Sequence, residues 1–265
     1  MGRVIVVGSL YLLTRADVED IPRAGDTATS LRTRRALGGP GVAQALAAQR
    51  RGVPVTLVAA VGDDDAGRWC ADNLALEGVA ARLQVVGHEQ TGQLVVMSEG
   101  GDRPGATLLI PGANTVLDGR TALVATEPDD VGLVQLDVPT GVVAEVQREA
   151  DRRQLRVVVN ASPYATVDPE AAAIADPFVV GERDAALLAD VGVLPRSLCV
   201  RFGRAGAVWD GLRVDSDDLG TPVLAEGGTE AFCGALAASL AAGLERTAAL
   251  RAAVAAAGDV DHDED

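Results

Sequence analysis

Lysine is absent from this sequence. All 23 basic residues are arginine, and 38 acidic residues bring the formal net charge to −15. Without lysine there is no lysine Schiff base and no lysine ammonium group to clamp a phosphate. The excess of acid disfavours nucleic acid and anionic membranes, because both bind basic surfaces. We therefore expect small-molecule partners, and neither nucleic acid nor a membrane.

Histidine, cysteine and long apolar runs are also scarce. The two histidines lack metal-ligand spacing and give no support to a Ser-His-Asp triad. The cysteines Cys70, Cys199 and Cys233 are far apart and odd in number, which favours a reducing compartment. No apolar run could span a bilayer without a charge, and residues 3–7 are typical of a strand rather than a signal peptide. We therefore expect a cytoplasmic protein.

Aromatic residues make up only 3% of the chain and hydrophobic residues 48%, so the core must be largely aliphatic. Strand-like and helix-like runs alternate, which predicts a mainly parallel, doubly wound α/β sheet with helices on both faces. The predicted strands are 3–7, 55–60, 93–98, 107–110, 131–136, 156–160, 178–180, 198–202 and 207–209, the last with a hairpin partner near 213. The predicted helices are 42–51, 64–77, 141–153, 182–189, 229–242 and 247–257. We expect residues 11–33 to be irregular with room for edge strands, one domain over 1–258, and a disordered acidic tail over 259–265.

A glycine-rich turn stands directly before the first predicted helix, at Gly38-Gly39-Pro40-Gly41. Such a turn brings backbone N–H groups close to a ligand, and the helix behind it adds unpaired N–H groups and a positive dipole end. The arrangement suits hydroxyls, carboxylates or phosphates. The glycines fit a simple tight turn equally well, so by themselves they support the fold rather than a function.

The order GGPGVAQALAAQRRG…VAAVGDDDAG resembles the first signature of the ribokinase-like, or pfkB-type, sugar and nucleoside kinases. Further family patterns follow along nearly the whole chain. They are P-x-x-G-[DE]-T at 22–27, Thr-Gly at 91–92, the GAN turn at 112–114, an acidic residue before proline at 136–139, N-x-x-P at 160–163, L-G-x-x-G at 202–206 and G-A-G-D-[AT]-F-x-G-A-L at 227–236. The resemblance implies a three-layer α/β/α fold with a small β lid from about 11–37 and 88–110, and a homodimer formed through that lid.

In this family a carboxylate of the last motif removes a proton from a hydroxyl, and the turn before it holds the transferred phosphoryl group. The resemblance therefore implies phosphoryl transfer with Mg-ATP as cofactor. It assigns catalysis to Glu230 as base and to Gly227, Gly228 and Thr229 as the anion-binding turn. It assigns substrate contacts to Gly38, Gly39, Gly41, Tyr11, Leu13, Ala43, Asp137 and Asn114. It assigns nucleotide contacts to Asn160, Arg201, Gly203 and Gly206, and metal binding to Asp184 and Glu182.

The last motif departs from the family pattern at two positions. Glu230 replaces an aspartate, which moves the carboxylate by about an ångström, and a shift of that size can cost on the order of a hundredfold in rate. Thr229 replaces a glycine, although threonine resists a positive φ. A local alternative is that Thr229 caps the helix with Glu230 in its first turn.

The sugar and cation positions depart as well. Tyr11 and Leu13 stand where the family has N-x-D, and Ala43 stands where it has an asparagine, so side-chain partners for hydroxyls are lost. Leu224 replaces an aspartate of the monovalent-cation site, so activation by K⁺ is not expected. The match ends near residue 258, before the last strand and helix of the family pattern.

Two hypotheses follow. The first is a working phosphotransferase with a changed, less polar acceptor. The second is a catalytically silent relative that binds a small molecule or a partner protein, because a fold does not guarantee a function.

Overall fold

The computed structural model describes residues 2–99, 104–161, 169–190, 192–219 and 228–257. Gly227, Leu224, Pro163 and the tail over 259–265 lie outside the described residues, so what the sequence predicts for them stays a prediction. Within the described ranges the chain forms two β-sheets with flanking helices.

The secondary structure alternates along the chain much as the sequence predicts. The strands are β1 (Val4–Val7), β2 (Tyr11–Val18), β3 (Arg32–Gly38), β4 (Val55–Gly62), β5 (Ala80–Val86), β6 (Gln93–Glu99), β7 (Pro104–Ile110), β8 (Val131–Gln135), β9 (Arg156–Asn160), β10 (Phe178–Gly181), β11 (Leu198–Arg201), β12 (Gly206–Trp209) and β13 (Leu212–Asp215). The helices are α1 (Pro40–Gln49), α2 (Asp65–Leu76), α3 (Thr140–Arg153), α4 (Pro169–Ile174), α5 (Glu182–Asp190), α6 (Gly228–Ala241) and α7 (Arg246–Ala256).

The large sheet has the strand order β13-β12-β11-β10-β9-β8-β1-β4-β5. The strands from β5 to β11 in this order pair in parallel, whereas β12 pairs antiparallel with both β11 and β13. From β1 the chain first builds β4 and β5 on one side, and it later builds β8 to β11 on the other. The boundary between β1 and β8 is therefore the topological switch point, where α/β sheets bind ligands beyond the carboxyl ends of their strands.

Helices cover both faces of this sheet. Alternate residues of β1 point to opposite sides, with Val4 and Val6 in one core and Ile5 and Val7 in the other. The first core includes side chains of α1, α2, α6 and α7, and the second includes side chains of α3, α4 and α5. The predicted three-layer α/β/α architecture is confirmed.

A second sheet of four strands, in the order β3-β2-β6-β7, forms from the two segments predicted to supply a lid. We call it the lid sheet. The expectation that residues 11–33 are irregular is wrong for β2, which is continuous from Tyr11 to Val18. Its sequence YLLTRADV lacks a clean apolar alternation, and its regularity comes from pairing with β3 and β6 on its two sides.

The sequence pattern also fails to predict β5, a largely exposed edge strand, and the short helix α4. Both lack a continuous apolar face, so periodicity gives them no signal. Among the described ranges, none of the helices has the length and apolar character needed to cross a bilayer.

Candidate active site

The switch point places Ser9, just after β1, beside Asp137, just after β8. The Ser9 hydroxyl donates a hydrogen bond to Oδ2 of Asp137. The other carboxylate oxygen, Oδ1, is buried and has no hydrogen-bond partner among the described residues. Burial raises the pKa of Asp137, and hydrogen bonds from Ser9 oppose the shift. A buried acceptor with unused lone pairs is suited to a ligand hydroxyl.

Glu230 lies in the first turn of α6, at a helix N-terminus as the sequence predicts. Its side chain is half-buried. Burial raises the pKa of Glu230, its own backbone N–H and the Arg201 charge oppose the shift, and the charge of Asp137 adds to it. Two carboxylates from distant parts of the chain therefore influence each other here, beside the N–H groups that open α6.

Arg201 ends β11 and approaches the same helix terminus. Its Nη1 donates a hydrogen bond to Oγ1 of Thr229, and its guanidinium carbon lies 5.1 Å from the centre of the Phe232 ring. Because α6 begins at Gly228, Thr229 lies inside the first turn and does not cap the helix. The local alternative of a threonine cap is therefore wrong, and the hydroxyl is held by Arg201 instead.

The glycine-rich turn packs tightly against the end of β1. A Cβ at Gly39, which has a φ of 104°, would lie 2.7 Å from the Ser9 carbonyl oxygen, and one at Gly41 would lie 2.7 Å from the Gly8 carbonyl carbon. Backbone contact therefore requires glycine at both positions. The close approach brings the N-terminus of α1 next to Ser9, while Ala43, one turn further on, is exposed.

Tyr11 is buried at the junction of the two sheets. Its ring lies between two glycines, since a Cβ at Gly39 would lie 2.9 Å from its Cδ2 and one at Gly92 would lie 2.7 Å from its Cδ1. Burial raises the pKa of Tyr11 and the Asp137 charge adds to the shift, while a hydrogen bond with the Ser9 side chain opposes it. The tyrosine hydroxyl thus belongs to the group around Asp137. Leu13, on the same strand, is half-buried beside Gly38, whose Cβ would lie 3.0 Å from Cβ of Leu13.

Asn114 holds the GAN turn against the start of β2. Its Oδ1 accepts from the Leu10 N–H at 3.0 Å, and its Nδ2 donates to the carbonyl oxygens of Leu10 at 2.9 Å and Pro111 at 3.0 Å. Both amide hydrogens are therefore committed to backbone. Asn114 therefore fixes the GAN turn beside Leu10, and its contact with substrate stays a prediction.

The predicted nucleotide residues lie along the carboxyl edge of β9, β10 and β11. Asn160 ends β9 and is buried, and Arg201 pairs in register with Gly181 at the end of β10. Gly203 and Gly206 follow in the turn to β12, with φ of 55° and 122°. This edge is continuous with the switch point.

The predicted metal residues open α5, next to this edge. Glu182 is exposed, whereas Asp184 is half-buried and its Oδ2 lies 3.8 Å from the position of a Cβ on Gly181. The described residues hold no group of three side chains that could bind a metal alone. Mg²⁺ in phosphate sites needs only one or two carboxylates besides phosphate and water, so the oxygen donors present fit it.

The sequence does not predict two polar pairs, one buried and one partly buried. Gln44 on α1 donates from Nε2 to Oε1 of Gln135 at 2.5 Å, at the end of β8. Thr91 donates from its hydroxyl to Asp64 at 2.6 Å and from its N–H at 2.8 Å, which ties the start of β6 to the start of α2. A polar residue ending a buried strand, such as Gln135, is the only signal the sequence offers for the first pair.

The fold, with its candidate site at the switch point, defines a ribokinase-like α/β protein. Residues 1–192 match the profile of the pfkB family carbohydrate kinase. The chain therefore belongs to the pfkB family of carbohydrate kinases.

Individual relatives agree with this assignment. The chain is 28% identical to a ribokinase of Bacillus subtilis over 272 residues, which covers 97% of this chain and 92% of that protein. The structure of Arabidopsis thaliana ribokinase complexed with ribose and ATP matches with a TM-score of 0.81 at 20% identity, covering 97% of this chain and 91% of that one. A Burkholderia thailandensis nucleoside kinase in complex with inosine matches with a TM-score of 0.74 at 17% identity, covering 96% and 90%. At these identities the two structures establish the shared fold.

Proposed function

We propose that this protein transfers the terminal phosphoryl group of ATP to a hydroxyl of a small molecule, with Glu230 as the general base. The position of Glu230 carries the proposal. Its carboxylate lies at the N-terminus of α6, and burial raises its pKa towards the range in which a base works well near neutral pH.

In this mechanism the acceptor hydroxyl is oriented by the unused Oδ1 of Asp137. Its oxygen bonds to the terminal phosphorus of ATP, the bond from that phosphorus to the bridging oxygen breaks, and ADP leaves. The hydroxyl proton passes to Glu230. The N–H groups at the start of α6 stabilise the negative charge that develops on the phosphoryl oxygens.

Asp184, with Glu182 beside it, would hold a Mg²⁺ ion brought in with the nucleotide. When bound, the ion would neutralise part of the phosphate charge. The residues of the chain itself supply the base and the anion-binding helix terminus.

The acceptor is proposed to carry fewer hydroxyls than ribose. Tyr11 and Leu13 stand at the positions where ordinary family members have asparagine and aspartate, and Ala43 stands at the position of another asparagine. The single tyrosine hydroxyl is engaged with Ser9. An acceptor that places an apolar edge against Tyr11 and Leu13 avoids leaving its own hydroxyls unpaired.

The test is Glu230→Gln, assayed for ADP release and, separately, for ATP binding by calorimetry. Turnover should fall by at least about a hundredfold because the base is removed, while affinity for ATP should change less than about threefold. Asp184→Asn is the companion variant and should weaken the Mg²⁺ dependence of ATP binding. Unchanged turnover in Glu230→Gln would remove Glu230 from catalysis.

The second candidate, a silent ligand-binding relative, is favoured by the Thr229 contact with Arg201, because the anion-binding turn of the family has glycine at that position. In that case the wild-type protein would bind ligand without turnover, and Glu230→Gln would leave its effect in the parent cell unchanged. Gly39→Val would still abolish binding, since the added side chain would collide with Ser9 and Tyr11.

A further inference from the structure

One face of the lid sheet runs outward along β2 from the group around Asp137. Side chains alternate along a strand, so Leu13 and Arg15 lie on the same face of β2 as Tyr11. Tyr11 is close enough to Asp137 for the carboxylate charge to raise its pKa. Leu12, one residue out of phase, packs in the first core instead. Arg15 therefore lies on the face whose inner end approaches Asp137.

The neighbouring strand β3 places a second arginine on this face. In the antiparallel pairing of the two strands, Arg34 lies directly opposite Arg15, and Ala36 lies directly opposite Leu13. Residues opposed in this way share a face of the sheet, with Cβ atoms about 5 Å apart. Outward from Tyr11 the face is therefore first apolar and then carries two neighbouring guanidinium groups. We call Arg15 and Arg34 the arginine pair.

Protection of the sheet edge explains only part of this arrangement. Charged side chains on an edge strand prevent pairing with another chain, and the exposed Arg34 and Arg35 of β3 fit that role. Arg15 does not, because it is half-buried on β2, which pairs on both sides. Asp17, the next residue on this face, stands opposite Arg32. Like charges directly opposite each other destabilise a strand pair, and a bound anion would offset the repulsion within the arginine pair.

We propose that the acceptor is an anionic alcohol, a small molecule whose carboxylate or phosphate, at the end opposite the reacting hydroxyl, is bound by the arginine pair. The inference rests on the proposed function for the reacting hydroxyl alone. A guanidinium binds either anion through parallel N–H donors. Arg15 lies four residues beyond Tyr11, about 13 Å along the strand, and its long side chain shortens that distance. The apolar part of the acceptor would lie against Leu13 and Ala36.

The charge of the surroundings makes such cations necessary for an acidic acceptor. The chain has a formal net charge of −15, and the carboxylates of Asp137 and Glu230 influence each other. Without a positive group nearby, these charges would repel an anion. The arginine pair supplies positive charge at the end of the acceptor that is remote from the reacting hydroxyl.

The test uses three alcohols that share a six-carbon apolar chain and differ at one end. They are α,ω-hexanediol, ω-hydroxyhexanoate and the phosphate monoester of the diol. In calorimetry, wild type should bind the two anions at least about tenfold more tightly than the diol, as expected for charge-assisted hydrogen bonds. Arg15→Met and Arg34→Met should each remove most of this difference and leave the affinity for the diol unchanged. Added salt should weaken binding of the two anions only.

Arg35→Met is the matched control. Arg35 is exposed on the same strand, one residue from Arg34, so its side chain lies on the opposite face. All three affinities should stay as in wild type. If Arg15→Met does not fold, Arg34→Met, at an exposed position of the edge strand, carries the comparison.

Anions that bind wild type no more tightly than the diol would overturn the inference, and so would an equal loss of affinity in Arg35→Met. A larger loss for the phosphate ester than for the carboxylate in Arg34→Met would assign phosphate as the bound group, and the reverse would assign carboxylate.

ADP release is measured separately with the same three compounds. Arginine-dependent binding of an anion without ADP release would reject the proposed phosphoryl transfer and leave the arginine pair as the binding site of an acidic ligand. ADP release with the diol that equals release with the anions, and that Arg15→Met and Arg34→Met retain in full, would do the opposite.

Discussion

Asp137 is held in an environment that disfavours its charged form. A carboxyl whose pKa is raised in the folded protein binds its proton more tightly there than in the unfolded chain. Folding stability therefore falls as the pH rises from the ordinary value of 3.8 through the raised one. Glu230, whose pKa is raised from 4.5, likewise makes folding stability fall as the pH rises.

Asp137→Asn should accordingly become more stable relative to wild type as the pH rises from about 4 to 7, because the substitution removes the buried charge. Thermal melts across this pH range would measure it. Asp118→Asn is the control: hydrogen bonds from Arg120 lower the pKa of Asp118 to about 2, so its pH dependence lies below this range and its stability difference from wild type should be nearly flat across it. A stability difference for Asp137→Asn that does not depend on pH would contradict the raised pKa.

Asn114 connects the GAN turn with the junction between β1 and β2 through three hydrogen bonds to backbone. Asn114→Ala should lower the free energy of unfolding by about 2–4 kcal/mol, because it leaves buried backbone groups unpaired. Urea denaturation would measure the loss. Asn73→Ala removes a single bond at a partly buried site on α2 and should cost less than about 1 kcal/mol.

At the scale of elements, the position of α1 against the end of β1 depends on the close backbone contact between Gly41 and Gly8. Gly41→Ala would place a Cβ 2.7 Å from the Gly8 carbonyl carbon, so the N-terminus of α1 must move away from Ser9. We expect a loss of stability of about 2 kcal/mol or more. Gly141→Ala, in the first turn of α3 with nothing within 4 Å of its Cβ, is the matched control and should cost nothing. Equal melting temperatures for the two variants would show that this contact does not determine the position of α1.

The elements differ in how well the sequence predicts them. Buried strands and capped helices were predictable: β1, β8 and α2, whose N-cap Asp64 accepts from the Gly67 N–H, each carry a strong local signal. The strand β2 was not, because its regularity depends on partners far along the chain. The last motif, together with the helix predicted to begin there, predicts that Glu230 lies at a helix N-terminus. The Arg201–Thr229 contact could not be foreseen, since it joins two elements whose separate patterns say nothing about their approach.

For the whole molecule, ligand binding and stability are linked. ATP should raise the melting temperature, since a ligand at a hundred times its dissociation constant adds about 2.7 kcal/mol to the native state. Ribose and fructose should produce little shift and turnover well below the roughly 1–100 per second of a typical kinase, because Leu13 and Ala43 offer no partners for their hydroxyls. Thermal melts together with an ADP-release assay would measure both. Ordinary turnover of ribose would show that the acceptor site is not less polar than in other family members.

The pairing of α1 with α6 has a consequence for the order in which the molecule is made. Ser9 is synthesised early and Glu230 late, and α6 covers the aliphatic face formed by α1 and the central strands. A nascent chain that has not yet released α6 from the ribosome therefore leaves that face open to water and lacks Glu230, the proposed base. The same helix that closes this face also carries the proposed base, so a chain able to carry out the proposed reaction has already packed α6 against α1.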